Sequence, residues 1–216
     1  MKCVRGMTAL LCSLCLFVCR WPGPAASAAG ETVMFRADSM TGNSGRESEF
    51  ARLTGNASIT TESVEIFADT IELSGKDYRY IKATGNVSGT NIKEKIDFTC
   101  AEMLYDRELK LSSMQDTVHL VDRANETVAN AQLMEYDEKT GAVVMQISVA
   151  MQQKDNVCTG SYAIYNTQTR KLFLSGNPQI VQGEDTFRAQ EIVLDLDTNE
   201  VTLDGRVRGA VKRNDE

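Results

Sequence analysis

The chain has 216 residues, 42% of them hydrophobic and 25% charged, enough length for one good-sized domain or two small ones and an ordinary balance for a packed core. Fifteen glycines and three prolines exclude a collagenous or low-complexity chain. A formal charge of −7 and scattered basic residues exclude general nucleic-acid binding, which needs Lys and Arg gathered on one face.

The first thirty residues differ from the rest. Lys2 and Arg5 precede a charge-free stretch from Gly6 to Cys19, then Arg20-Trp21-Pro22-Gly23-Pro24 and Ala25-Ala26-Ser27-Ala28-Ala29. A basic start, an apolar centre over Met7 to Cys19, a helix-breaking segment and an Ala-x-Ala signal predict a secretory signal peptide over residues 1–28, leaving a mature domain over 29–216. Two other readings stay open: an uncleaved anchor, although a span needs about 20 apolar residues, and a lipoprotein, since Leu16-Phe17-Val18-Cys19 loosely resembles a lipobox with Val18 where a small residue belongs. Cleavage removes three cations and no acid, moving the formal charge from −7 to −10. It also removes four of six cysteines, including the Cys12 and Cys15 pair, and leaves Cys100 and Cys158 in an oxidising compartment.

The mature part repeats. Phe35-Arg-Ala37-Asp-Ser-Met40 is followed by Ile66-Phe-Ala68-Asp-Thr-Ile71-Glu-Leu73 and Phe98-Thr-Cys100-Ala-Glu-Met103-Leu-Tyr105-Asp106. Ala129-Asn-Ala131-Gln-Leu-Met134-Glu-Tyr136-Asp137, Val157-Cys-Thr159-Gly-Ser-Tyr162-Ala-Ile164 and Phe187-Arg-Ala189-Gln-Glu-Ile192-Val-Leu194-Asp195 complete six copies. Small anchors at 37, 68, 100, 131, 159 and 189 step by 31, 32, 31, 28 and 30. On this alignment Cys100 and Cys158 share a repeat column two copies apart, too far for a disulfide, so free or weakly paired thiols are expected. A second motif runs in phase: Thr54-Gly55-Asn56-Ala57, Thr84-Gly85-Asn86-Val87, Ser175-Gly176-Asn177-Pro178 and Asp204-Gly205-Arg206-Val207, read as a turn and missing its glycine in copies three and four.

Within each copy apolar residues alternate, Ile71/Leu73, Met103/Tyr105, Met134/Tyr136, Tyr162/Ile164 and Ile192/Leu194 sharing one face and Glu72 and Glu135 the other. Period two means strands. Turn residues such as Ser74-Gly75-Lys76-Asp77, Asp137 to Gly141 and Asp197 to Glu200 then send a returning strand back, and a third short strand follows each Gly-Asn turn. No segment keeps a 3.6 period. Thirty-residue units of strand and turn cannot bury their apolar face alone, so the copies must stack. The expected fold is all-β, an elongated, solenoid-like stacked β-jellyroll of about six ~30-residue strand-turn-strand repeats.

The chemical inventory is thin. His119, the single histidine, sits in an alternating strand, and no metal-binding, phosphate-cradling or nucleophile-elbow motif occurs in the sequence. Asp195-Leu-Asp197-Thr-Asn199 begins like a calcium loop, but Glu200 stands at the required glycine and Arg206 at the bidentate glutamate. Three glycosylation sequons start at Asn56, Asn86 and Asn125, two of them inside the Gly-Asn motif. No catalytic residue, metal or cofactor is expected.

The apolar-x-Ala-Asp/Gln-x-apolar-x-apolar-Asp strand, polar turn, second strand and Thr-Gly-Asn-Val motif resembles the OstA-like, or LptA-like, family of periplasmic lipopolysaccharide-transport bridge proteins. Phe35 to Met40, Ile66 to Val87, Ala131 to Gly141 and Phe187 to Val207 carry the likeness. Cys100 and Thr159 depart from the anchor alanine. The resemblance implies a soluble periplasmic jellyroll whose apolar groove shields acyl chains of lipopolysaccharide or another glycolipid passing between the inner and outer membranes. Its lining would be Phe35, Met40, Ile66, Ile71, Leu73, Phe98, Met103, Tyr105, Met134, Tyr136, Ile164, Phe187, Ile192 and Leu194, where three methionines at central positions suit an irregular guest. It further implies inner- and outer-membrane jellyroll partners joined by strand-edge pairing, and head-to-tail homo-oligomers, because Val33-Met34-Phe35 and Val207 to Val211 are poorly blunted edges. A structural or adhesive β-repeat protein with a closed core, and a hydrolase bearing an inward carboxylate pair, are the alternatives.

The exported protein is expected to lack residues 1–28, and intact-mass measurement on the periplasmic fraction decides it; a mass that retains the leader counts against cleavage.

Overall fold

The computed structural model describes residues 32–44 and 49–212. The predicted leader and the last four residues of the charged tail lie outside them. Among the described residues sixteen strands follow one another: β1 (Met34–Arg36), β2 (Ser39–Ser44), β3 (Glu49–Thr60), β4 (Val64–Ser74), β5 (Tyr80–Asn91), β6 (Ile96–Asp106), β7 (Leu111–Asp122) and β8 (Thr127–Asp137). Then come β9 (Ala142–Gln153), β10 (Asn156–Asn166), β11 (Lys171–Ser175), β12 (Gln179–Gln182), β13 (Asp185–Arg188), β14 (Glu191–Asp195), β15 (Val201–Asp204) and β16 (Arg208–Ala210). All pairings are antiparallel within a single unclosed sheet. One 3₁₀ turn, Lys76–Tyr78, is the only helical element among the described residues.

In its first two occurrences the Gly-Asn motif is not a turn between strands, whereas Gly176-Asn177 separates β11 from β12 and Gly205-Arg206 separates β15 from β16. Strands β3 and β5 run straight through it, and the predicted third short strand is the second half of the same strand. At each such place two consecutive residues take positive φ: Gly55 and Asn56, Gly85 and Asn86, Gly176 and Asn177, Gly205 and Arg206. Copies three and four keep the geometry without glycine, using Asp116 and Thr117, and Ile147 and Ser148. The register slips here, so that two residues oppose one on the neighbouring strand, a β-bulge that bends the strand.

The opposing residue is the one after each small anchor, which explains why the two motifs run in phase. Asn56 Nδ2 donates to Asp38 and Asn86 Nδ2 to Asp69, each at 2.9 Å. A Cβ on Gly55 or Gly85 would collide with those same carboxylates. In copy five Val149 pairs with Gly160, and Ser161 faces the bulge. Gly160, not Thr159, is therefore the anchor of that copy.

Each strand is thus folded into two halves, and the buried residues of both lie on the inside of the bend. Along β4, Val64, Ile66 and Ala68 are buried before the bulge and Ile71 and Leu73 after it. Hairpins at both ends stack copy on copy: Arg107 N donates to Arg79 O at 3.0 Å and Leu196 N to Arg170 O at 3.0 Å at one end, and Ile92 N to Ser63 O at 2.8 Å and Arg123 N to Lys95 O at 3.1 Å at the other. Several open on an Asp or Asn whose side chain accepts turn N–H groups, as Asp106 does from Glu108 and Leu109. The residues of the calcium-like stretch serve this purpose. Asp195 caps its turn, Asp197 pairs with Arg170, and Asn199 Oδ1 accepts from Asn156.

Ile147 is β-branched, 59% exposed and held at φ +63°, a conformation that costs an L-residue about 1–2 kcal/mol. Ile147→Gly is expected to raise stability by up to about 1 kcal/mol once glycine's own entropic cost is counted, whereas Gly85→Ala is expected to lower it. Chemical denaturation of both variants tests the corner; a loss of stability in Ile147→Gly together with a gain in Gly85→Ala would show that the bend does not need this geometry.

Candidate functional site

The site is the inside of the bend. In the half-sheet that ends at the 106–111 hairpin, one cross-strand row runs Leu53, Ile71, Ala83, Met103, Met114, Met134, Met145, Ala163, Leu174, Ile192 and Leu203. Four methionines stand side by side on four adjacent strands, at most 2% exposed. The facing half-sheet carries Ile59, Ile66, Gly89, Phe98, Leu120, Ala129, Met151, Cys158 and Ile180 in a row.

Of the residues expected to line the interior, Ile66, Ile71, Leu73, Phe98, Met103, Tyr105, Met134, Tyr136, Ile192 and Leu194 are buried there. Ile164 is not. It is half-buried on the outer face between Val144 and Phe173, while Ala163 and Tyr165 are fully buried. The reason is the shifted anchor of copy five: a one-residue slip in a period of two exchanges the faces. Phe35 and Met40 pair with the core residues Ile59 and Leu53 but are 49% and 51% exposed, because no strand lies beyond them among the described residues. Phe187 is half-buried beside Ile180 near the other end, with Val201 and Leu203. Apolar core surface therefore emerges at both ends of the stack.

Two features escaped the sequence reading. Met114 and Met145 lie on returning strands, outside the repeat's best-matching segment. At the rim of the bend runs a polar row, Asn91, Asp122, Thr127, Gln153 and Asn156, interrupted by Ile96 and all buried. These residues sit at strand ends and look like turn formers; Asn91 and Asp122 do accept turn N–H groups from Glu94 and Asn125. Across from them stands a row containing Tyr105, Ser112, Tyr136 and Tyr165. Tyr165 Oη donates to Asp122 at 3.3 Å, Asn125 Nδ2 to Thr167 O at 3.5 Å and Asn156 Nδ2 to Asn199 Oδ1 at 2.9 Å. These bonds join the two half-sheets at the rim. Asp122 also departs from an inner face read as wholly apolar.

A cavity of about 20 Å³ lies between the halves, floored by Val64, Ile96, Phe98, Met103, Met114 and Leu120 and rimmed by Asn91, Ser112, Tyr136 and Glu138. It has room for one water, not for an acyl chain. His119 lies on the outer face with Nδ1 2.8 Å from Asn130 Oδ1.

Residues 35–200 match the family described as LptA/(LptD N-terminal domain) LPS transport protein. The chain belongs to this family. The likeness drawn from the repeats is therefore correct, and the LptA/LptD N-terminal family is one of transport proteins rather than enzymes. The solved structure of LptH from Pseudomonas aeruginosa, described as the LptA homologous periplasmic component of the conserved lipopolysaccharide transport device, is similar over 85% of this chain and 96% of that one, at 14% identity and a TM-score of 0.27. No curated protein matches the chain in sequence.

Cys100 and Cys158 are both buried and not disulfide-bonded. They are not in one column: Cys100 is an anchor paired with Val87, whereas Cys158 lies two residues before the anchor Gly160, in the row of Phe98. Burial pushes both thiols up to about 12, so neither supplies thiolate near neutral pH. A chain starting at Ala29 is expected to resist thiol reagents when native at pH 8 and to titrate two thiols when denatured without reductant. Rapid native labelling, or fewer than two thiols, would contradict this arrangement.

Proposed function

We propose that the protein is a periplasmic carrier that shields acyl chains of lipopolysaccharide or a related glycolipid inside the bend and extends this path by end-to-end stacking. The row of Met103, Met114, Met134 and Met145 carries the reading. A core with only a structural role gains from branched residues with well-defined rotamers, whereas four adjoining thioethers can repack around a flexible guest. Family membership supports the same class of cargo. A chain drawn into such an interior keeps about 0.8 kcal/mol per CH₂ that exposure to water would cost.

The close packing of the interior favours the alternative of a closed β-repeat with no ligand, so entry of a chain requires methionine repacking or parting of the rim. Lipid extraction and mass spectrometry of the purified protein separate the two readings.

The ends support association. Beyond β1 and β2 on one side, and β15 and β16 on the other, no strand pairs among the described residues, and half-exposed apolar side chains stand at both. Such edges accept a strand from another jellyroll, whether a second copy or a membrane-anchored partner, in a heterologous contact that does not close into a ring.

A photo-crosslinker at Met103 is expected to label lipid, and one at Glu72 on the outer face is not. Average mass in sedimentation is expected to grow with concentration, and Ala210→Pro is expected to reduce that growth without unfolding the monomer. Equal labelling inside and out would remove the carrier reading; a strict monomer that also binds no jellyroll partner would remove the bridge.

A further inference from the structure

The rim of the bend is built differently from its floor, and hydrophobic burial does not account for it. Tyr136 is 5% exposed, lines the interior cavity, and its Oη has no hydrogen-bond partner among the described residues. Gln153 is 1% exposed, and neither its Oε1 nor its Nε2 has one. Buried polar atoms without partners are costly and rare in native cores. Tyr165, in the same row as Tyr136, shows the satisfied version by donating to Asp122. Phenylalanine at 136 and an apolar residue at 153 would fill the same volume without the penalty. Their polar atoms therefore point to a ligand group that completes them.

The surroundings indicate its chemistry. Beside Tyr136 the cavity floor is apolar and methionine-bearing, and its rim is Asn91, Ser112 and Glu138, so the complementary ligand changes from hydrocarbon to polar at this depth. Tyr136 offers an O–H donor, and Gln153 one donor group and one acceptor. The carboxylates of Asp122 and Glu138 in and beside the rows disfavour an anion. A neutral, carbonyl-bearing linkage between an acyl chain and a polar head, an amide or ester, meets all of these conditions. A free fatty acid carboxylate does not.

We infer that the polar row from Asn91 to Asn156, with Tyr136 facing it, is a subsite for the amide or ester linkages of an acylated amphiphile, Tyr136 Oη donating to the linkage carbonyl and the Gln153 amide, on the next strand, serving a second linkage. This rests on the carrier reading and deepens it. The methionine row holds the chains, and the rim holds the junction between chain and head and keeps the amphiphile at one depth.

The test uses the chain from Ala29 to Glu216 and two probes with the same chain length, N-dodecanoyl-N-methylglucamide, which has an amide carbonyl, and dodecyl glucoside, which has none. Tyr136→Phe is expected to weaken binding of the amide probe about tenfold, the scale of one hydrogen bond, and to leave the glucoside within about twofold. Gln153→Met is expected to act in the same sense. Ligand-free Tyr136→Phe and Gln153→Met are expected to melt no lower than wild type, since each removes unpaired polar atoms; a clear fall in both midpoints would show that these groups are structural and would overturn the assignment. Equal weakening of both probes, or none, would overturn the subsite while leaving the carrier reading intact. If wild type binds neither probe, the carrier reading falls and the subsite with it.

Discussion

Two consecutive residues at positive φ in the middle of every second long strand, β3, β5, β7 and β9, are the constraint on which the rest of the structure depends. A flat antiparallel sheet of this composition would leave its apolar face to water. The bulge folds each strand so that one half covers the other, turning a single sheet into two facing layers with a shared interior. Glycine meets the requirement at four corners, and a polar side chain on the opposing strand, Asp38, Asp69, Ser161 or Gln190, fills the space that its missing Cβ leaves. At Asp116, Thr117, Ile147 and Ser148 the geometry is imposed by the neighbouring copies, whose corners already fix the path. That a β-branched residue is held there shows how strongly the stack determines the local backbone.

Stacking has a second consequence. Each copy is bonded to the next through strand ladders and through hairpin-to-hairpin hydrogen bonds, but nothing in a thirty-residue repeat closes the ends. Repeat arrays usually terminate in polar caps. Here Phe35 and Met40 at one end, and Val201 and Leu203 at the other, leave the interior partly open. Interior and edges are continuous, so a partner that extends the sheet also extends the apolar path. The proposed carrier path and the proposed end-to-end association would draw on this same feature of the fold.

The interior is not chemically uniform. Aliphatic residues dominate near both ends of the main row, methionines occupy the middle, and polar residues with tyrosines run along the rim. An amphiphile has its own gradient from hydrocarbon to sugar, and on the proposed carrier function an interior that repeats this gradient across its depth would hold such a molecule in one orientation. The corner sets that depth, because it fixes how far apart the two rims stand.

Much of this was legible in the sequence. Period-two alternation, six small anchors about thirty residues apart and recurrent turn residues determined an all-β stacked repeat, its inward columns in five copies and the family. Alternation is local chemistry, and each residue declares its face by its neighbours. Tertiary structure decided what depends on pairing between strands. At Gly55-Asn56 and Gly85-Asn86 the Gly-Asn motif is a bend within a strand because its partners lie beside the anchors of adjacent strands, not among its own flanking residues. Copy five reverses the faces of Ala163, Ile164 and Tyr165 because its anchor is Gly160, which only the pairing with Val149 reveals. The methionine row needed Met114 and Met145 brought in from returning strands, and nothing in the sequence analysis singled out Asn91, Asp122 and Gln153, which the bend places inside. Sequence specifies which residues alternate; the register between strands specifies which of them meet, because cross-strand neighbours lie tens of residues apart along the chain.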